Sequence, residues 1–425
     1  MRNDRRVVSR RSRFRSVDAL IAMNGVSTFG SGLIYPYTAV YLAGHAQIGI
    51  SGVGTFYGVS AGANLAATAV LALGWLRPPT LLLGIVGTAS LTTGYLGVSI
   101  AGSLPTLALA ATFVGGGQGC LLAAMVPVLN SLISVSDRRD VFARRYRAMN
   151  IGLGLGAVVA GLAAGLLSRE VIPWLFVFNA VSYIPLAVLF AVIHQRAPVV
   201  AQLPPRSSGS TAGAAGGLST VWSGAALVVV FQLGAYLFGH SQFEATAPLV
   251  ASNLMSTGLA SVSVLLLANT AVVVLGQKWI TRWLAPRSEV FGLRVTMLLW
   301  TAGYLVVALA SLGSASVCLA GLVVFAVIFA LGECAYSCSY HPWLIASVAE
   351  HDVTRASALS SGMMGVGTAA GPSIGVALIL TGSAVVVWLV LAACCALMLV
   401  TVVERSSTRR SANQPAVMKS GERSD

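Results

Sequence analysis

Charge is scarce in this chain. Only 9% of its 425 residues are Asp, Glu, Lys or Arg and 13 are acidic, while 56% are hydrophobic. Mean hydropathy is +0.83. Ordinary soluble domains carry about 25% charged residues, so that class is excluded. The six cysteines (Cys120, Cys318, Cys334, Cys338, Cys394, Cys395) all fall within apolar runs. They form neither a disulfide framework nor a metal quartet. Cys334 and Cys338 share a helix face at i, i+4, but no histidine or second cysteine pair completes a site, and they read as small packing residues. No nucleophile–base set or metal cluster marks an enzyme, and no cofactor is implied. The net charge of +13 raises nucleic acid as a partner. The cations flank apolar runs and line no groove, which excludes that partner and makes them topology anchors.

Long apolar runs are what the chain has instead. A spanning helix needs roughly 20 apolar residues, and about twelve such runs occur, near 18–43, 51–74, 80–101, 105–133, 147–168, 172–193, 221–250, 256–280, 290–311, 316–340, 357–381 and 383–403. Basic residues mark every second connection. Seven arginines precede the first run, Arg77 follows the second, and Arg138, Arg139, Arg144, Arg145 and Arg147 follow the fourth. Arg196 and Arg206 follow the sixth, Lys278, Arg282 and Arg287 the eighth, Arg355 the tenth, and Arg405, Arg409 and Arg410 the twelfth. The intervening connections contain only Arg169. Short cytoplasmic loops retain Lys and Arg, so both termini are expected in the cytoplasm of a multi-pass protein of the cell membrane, bacterial inner or plasma membrane. Ser9–Phe14 faintly matches a twin-arginine signal, but the apolar run behind it is too long for a signal peptide and reads as an uncleaved anchor.

The same pattern divides the chain into segments. Residues 1–17 form a basic tail, 18–193 one six-span set, 194–220 a Pro/Gly/Ser-rich linker, 221–403 a second six-span set and 404–425 a polar tail. An internal repeat supports the two halves. Aligning Asp137 with Asp352 sets Asn150 on Gly365, Gly152 on Gly367, Gly156 on Gly371 and Ala157 on Pro372. The expected fold is an all-α membrane protein of twelve transmembrane helices in two pseudo-symmetric six-helix bundles.

Two acidic residues lie well within spans, Glu244 and Glu333. A carboxyl group in a bilayer costs several kcal/mol unless it is neutral, paired or hydrated, so its default role is functional, here as a proton carrier. Glu333 comes late in a span entered from outside and Glu244 late in one entered from inside, so they are expected at different depths. Gln232, Tyr236, His240 and Glu244 recur every fourth residue and wind along one broad helix face. That stripe either lines a cavity or satisfies itself by hydrogen bonds. His240 and Glu244 at i, i+4 are expected to hand over a proton. Tyr336, Ser337 and Tyr340 extend an aromatic and hydroxyl face from Glu333. Asn24, Tyr37, Gln118, Asn150 and Asn269 add polar groups for a substrate cavity or for interhelical hydrogen bonds. Gly152/Gly156 and Gly367/Gly371 have the small-xxx-small spacing of closely approaching, sliding helices; with Pro372 they are the conformational candidates.

Twelve spans in two halves joined by a cytoplasmic linker resemble the major facilitator superfamily over nearly the whole chain. Gly30–Tyr37 (Gly-Ser-Gly-Leu-Ile-Tyr-Pro-Tyr), Ser241–Leu249, Ala268–Gln277 and Ala330–Glu333 followed by Pro342 resemble its drug:proton antiporter branch. The fifth-span signature of that branch ends in Gly-Pro; this chain has Gly156-Ala157, and the symmetric copy keeps Gly371-Pro372. The loop Gly74-Trp75-Leu76-Arg77-Pro78-Pro79 lacks the aspartate of the superfamily's motif, and Ala111-Thr112-Phe113 stands where many antiporters place a buried arginine. The resemblance implies proton-driven export of a small hydrophobic or cationic compound by one chain rocking about a central site, with protons, a small molecule and the lipid bilayer as partners. An uncoupled facilitator or importer is the first alternative, and a non-transporting membrane sensor or scaffold the second.

Overall fold

A computed structural model describes residues 2–35, 38, 41–42, 47–166, 172–196, 218–255 and 260–402. Most of the linker, the tail from 403 onward and Tyr37 lie outside the described residues. The first half comprises α1 (Arg2–Ile34), α2 (Gly49–Leu73), α3 (Thr80–Ile100), α4 (Leu104–Leu132), α5 (Arg138–Leu166) and α6. Helix α6 runs as Ile172–Ser182 and Ile184–Arg196, broken at Tyr183. The second half begins with α7, built from Leu218–Ala235, two π-helical turns (Tyr236–His240 and Gln242–Thr246) and Ala247–Asn253. It continues with α8 (Ala260–Leu284), α9 (Glu289–Ala310), α10 (Ala315–Ala346), α11 (Val353–Ile379) and α12 (Ala384–Leu397).

Among the described residues, ten segments are long and apolar enough to cross a membrane. The other two of the twelve are α5, with its basic first turns, and the shorter α12. The outer faces of the spans carry exposed aliphatic side chains such as Leu275 of α8 and Leu309 of α9, the pattern of helices solvated by lipid. Local signals set the ends: Ser103 and Thr106 form a reciprocal capping box at α4, and Ser288 caps α9 by accepting from the Phe291 amide.

Several boundaries differ from the sequence reading. The basic stretch before the first span is helical from Arg2 and continuous with α1. The arginine cluster ahead of the fifth span is the first three turns of α5. Helix α10 continues past Pro342 to Ala346, which leaves Glu333 near mid-helix instead of towards one end. One further arginine, Arg294, lies within α9 and donates to the Val402 carbonyl at 3.2 Å.

The halves pack by the same plan. In the first, α1 packs on α5, α2 on α4, and α3 on α4 and α6; in the second, α7 packs on α11, α8 on α10, and α9 on α10 and α12. Across the seam, α5 meets α8 and α10, while α11 meets α2 and α4. The repeated glycines explain two of these contacts. A Cβ on Gly152 or Gly156 would collide with the carbonyls of Gly25 or Phe29 of α1, and one on Gly367 or Gly371 would collide with Tyr236 or Ser241 of α7. The bare backbone also becomes an acceptor: Ser241 donates to the Gly367 carbonyl at 3.1 Å and Gln242 to that of Gly371 at 2.8 Å.

Both cross-seam pairs close at the end where the basic connections lie, hereafter the basic end. Arg139 of α5 donates to the Leu284 carbonyl closing α8 and pairs with Glu289 at 3.4 Å. Arg355 of α11 donates to the Ala72 carbonyl in the last turn of α2 at 3.1 Å and pairs with Asp352 at 3.4 Å. At the other end Tyr57 of α2 is about half exposed, and a Cβ on Gly54, Gly58 or Gly62 would meet nothing. Both seams are closed at the basic end, and α2 is open at these positions away from it.

Candidate functional site

The two π-helical turns of α7 decide which polar groups meet. Each replaces i→i+4 hydrogen bonding by i→i+5 and rotates the residues beyond it relative to an α-helix. The four-residue stripe from Gln232 to Glu244 therefore does not stay on one face. Gln232 and His240 are buried, whereas Glu244 is exposed. The expected His240–Glu244 pair is not formed; His240 instead turns to α10, where its Nδ1 lies 3.2 Å from Glu333 Oε1.

Glu333 is the hub of a buried cluster. The Tyr146 hydroxyl of α5 donates to Oε1 at 3.1 Å and the Asn269 amide of α8 donates to Oε2 at 2.6 Å. Glu333 and His240 are each only 6% exposed, so this carboxyl is removed from both water and lipid yet satisfied on both oxygens. Three members of the cluster come from the second half and one, Tyr146, from the first. The His240 ring is boxed by Tyr236, Trp300 and Tyr336 with centroids at 4.7, 5.2 and 5.2 Å, and its Nε2 has no hydrogen-bond partner among the described residues. A histidine bonded to a carboxylate through one nitrogen, with the other unused, is equipped to hold and pass a proton.

The remaining candidates separate. The Tyr336 hydroxyl donates to Gln232, and Tyr340 shares a 2.7 Å hydrogen bond with Ser360 of α11, so both phenols are engaged in the wall of the bundle. Asn150 donates to the Tyr146 carbonyl one turn back, holding its own helix. Gln118 is partly exposed on α4 and is not part of the Glu333 cluster. Asn24 is buried and accepts from Arg145 Nε at 2.8 Å, which occupies its carbonyl oxygen. Away from the basic end, the Tyr35 hydroxyl of α1 donates across the halves to Glu244 of α7 at 3.4 Å, and both side chains are exposed.

Two residues that matter escape the sequence reading. Tyr146 and Arg145 sit in what reads as a cytoplasmic connection, yet both lie on α5 facing the interior. Arg145 is 8% exposed, interacts electrostatically with Tyr236 of α7 and His341 of α10, and has no carboxylate partner among the described residues. The available signal is helical phase: Arg144 and Arg147 share one face, and Arg145 with Tyr146 point away from it.

The sequence profile of the Major Facilitator Superfamily matches residues 19–320. The chain belongs to the Major Facilitator Superfamily. Its members are transporters, and the chain is a multi-pass membrane protein with their fold. The human organic anion transporter MFSD10 (TETRAN) is similar over 92% of this chain and 99% of its own, with 15% identity and a TM-score of 0.66. A bacterial homologue of the iron transporter ferroportin, in an outward-facing state, gives 14% identity and a TM-score of 0.70 over 91% of this chain and 98% of its own. A variant of the E. coli fucose:proton symporter FucP gives 16% identity and 0.62 over 92% of this chain and 97% of its own. At such identities the likeness establishes the fold alone. No curated protein matches the sequence.

Proposed function

We propose that this protein is a proton-coupled secondary transporter that exports a small hydrophobic or cationic compound by alternating access, with Glu333 and His240 as its proton site. One observation carries the reading: the buried carboxylate of Glu333 is held by His240 and Asn269 from its own half and by Tyr146 from the opposite half. A hydrogen bond to an ionised carboxylate is roughly twice as strong as one to a neutral group. Protonating Glu333 weakens the bond to Tyr146 and with it the closure of α5 on α8 and α10. Deprotonation restores that bond and the closed basic end, so proton binding and the direction of opening are coupled. The basic end is cytoplasmic in this reading, with both termini there, and the two six-helix units joined by residues 194–220 rock as bodies within a single chain. The aromatic wall and the accessible Glu244 suit a lipophilic cation.

Arg145 favours a second reading for the substrate. A buried guanidinium without a carboxylate partner is matched by a solute bearing an anionic group, and one structural relative is an organic anion transporter. Transport in proteoliposomes with an imposed pH gradient, using ethidium and fluorescein as cationic and anionic probes, separates these. Gradient-driven ethidium flux lost in Glu333→Gln supports the first reading. Fluorescein flux lost in Arg145→Gln supports the second. Flux indifferent to the gradient and to Glu333→Gln leaves an uncoupled facilitator.

A further inference from the structure

The seam between α5 and α8 at the basic end holds a groove of about 270 Å³ that the transport reading does not use. Arg144, Arg147 and the acidic Asp140 line it from α5, Lys278 and Arg282 from α8, and the buried side chains of Gln277 and Thr281 stand behind them. Arg144 is balanced by Asp18 at 2.8 Å and Asp140 at 3.1 Å. Arg147, Lys278 and Arg282 have no ion-pair partner among the described residues. Closing the seam therefore brings three unbalanced cations from opposite halves to the walls of one cleft, and their repulsion opposes closure unless an anion enters.

A second, independent feature fixes the depth of this cleft. Leu275, Trp279 and Trp283 recur every fourth residue along the neighbouring face of α8, exposed by 79%, 64% and 37%. Arg287 covers the Trp283 ring at 4.2 Å. Exposed tryptophans with a stacked arginine mark the headgroup layer of a membrane. Lys278 and Arg282 each precede one of these tryptophans in sequence, so the cations stand at the level of lipid phosphates.

We propose that this groove binds the phosphate of an anionic phospholipid headgroup, drawn from the lipid beside α8, and that the bound lipid bridges α5 and α8 and reinforces the closed basic end. Basic pockets between transmembrane helices at headgroup depth have the charge and position for such a ligand. The claim concerns a lipid site and stands whether or not the protein moves protons.

The test uses the purified full-length chain, with retention of phosphatidylglycerol and phosphatidylcholine compared by native mass spectrometry after graded detergent exchange. The wild type should hold phosphatidylglycerol about 10- to 100-fold more tightly than phosphatidylcholine. The triple change Arg147→Gln, Lys278→Gln and Arg282→Gln should abolish that preference, while the charge-keeping triple Arg147→Lys, Lys278→Arg and Arg282→Lys should preserve it and shows that the fold tolerates substitution here. Arg77→Gln, at the same end but outside the groove, should leave the preference intact. Equal retention of the two lipids, or a preference unmoved by the neutralising triple, overturns the site. Displacement of phosphatidylglycerol by millimolar inorganic phosphate also overturns the lipid assignment, because the groove would then select a soluble anion.

Discussion

The seams α5–α8 and α11–α2 are two copies of one device put to different uses. Each is closed at the basic end by an arginine near the start of one helix that donates to a carbonyl in the last turn of its partner: Arg139 to Leu284, Arg355 to Ala72. Helix C-terminal carbonyls carry the negative end of the macrodipole, so a guanidinium there gains twice, by hydrogen bond and by field. Each arginine also has a nearby acid, Glu289 or Asp352. Above the latch the copies diverge. Helix α11 presents Gly362 and Gly365 to Thr68 and Asn64 of α2, without an ionisable side chain among those contacts. Helix α5 presents Tyr146 and Arg145, and Tyr146 reaches Glu333 beside Asn269 of α8. Duplication supplies two matching latches, and in the proposed coupling the asymmetry of charge on one seam carries the proton.

That comparison breaks most visibly at Glu333. Replacing it with Gln removes the titrating group but keeps the shape and a hydrogen-bonding side chain. Proton-driven flux should fall by about 10-fold or more, the rate equivalent of roughly 1.4 kcal/mol. The mirror experiment, Thr68→Ala where α2 meets Gly362 of α11, should leave the response to a pH gradient unchanged. If both variants depress gradient-driven flux equally, the chemistry is not confined to one seam.

Next come the glycines, where the copies should behave alike. Gly152→Val drives a side chain into α1 and Gly367→Val drives one into α7. Each should lower stability by about 1–3 kcal/mol, the usual cost of overpacking, read as a depressed unfolding temperature in detergent. Gly154→Ala is the control, since its Cβ would meet only the Thr270 methyl at 3.2 Å. A loss in one copy alone would mean that the halves are not packed by a common rule.

The latches sharpen the comparison at smaller scale. Arg139→Gln and Arg355→Gln should each weaken closure of the basic end by about 1–2 kcal/mol, since each removes a charged hydrogen bond that water partly replaces. Spin-label distances between the basic ends of α5 and α8, and of α11 and α2, would report the shift. Equal shifts support two equivalent latches. A larger effect of Arg139 would indicate that the α5–α8 seam alone controls opening.

The physics of each signal decides how legible it is in the sequence. Apolar run length and alternating basic connections reveal the twelve spans, because bilayer thickness imposes them on any chain. The register of the repeat is equally readable: glycines at equal spacing serve the same close approach in both halves. Glu333 stands out because a carboxyl in a bilayer is costly wherever it points. Its partners do not. An α-helical period pairs His240 with Glu244, and that period fails across residues that form π-helical turns. Tyr146 and Arg145 are hidden because five nearby arginines read as a loop, when the helix begins at Arg138 and divides them between faces. The Gly74–Pro79 loop lacks the superfamily's aspartate, and the structure closes this seam with Arg355 and Asp352, which spacing within the loop could not reveal.

Glu244 offers the mildest and most discriminating change. It lies away from the basic end, exposed, and its one described hydrogen bond is a long one from Tyr35. Water screens an exposed charge, so Glu244→Gln should cost about 1 kcal/mol or less. That corresponds to a few-fold rise in half-saturating concentration for a cationic substrate such as ethidium, with little change for a neutral one and with the pH-gradient response intact. Measured beside Glu333→Gln, it separates capture of the solute from coupling to the proton. If Glu244→Gln instead erases the gradient response, the proton site extends beyond the Glu333 cluster, and the confinement of chemistry to the α5–α8 seam fails.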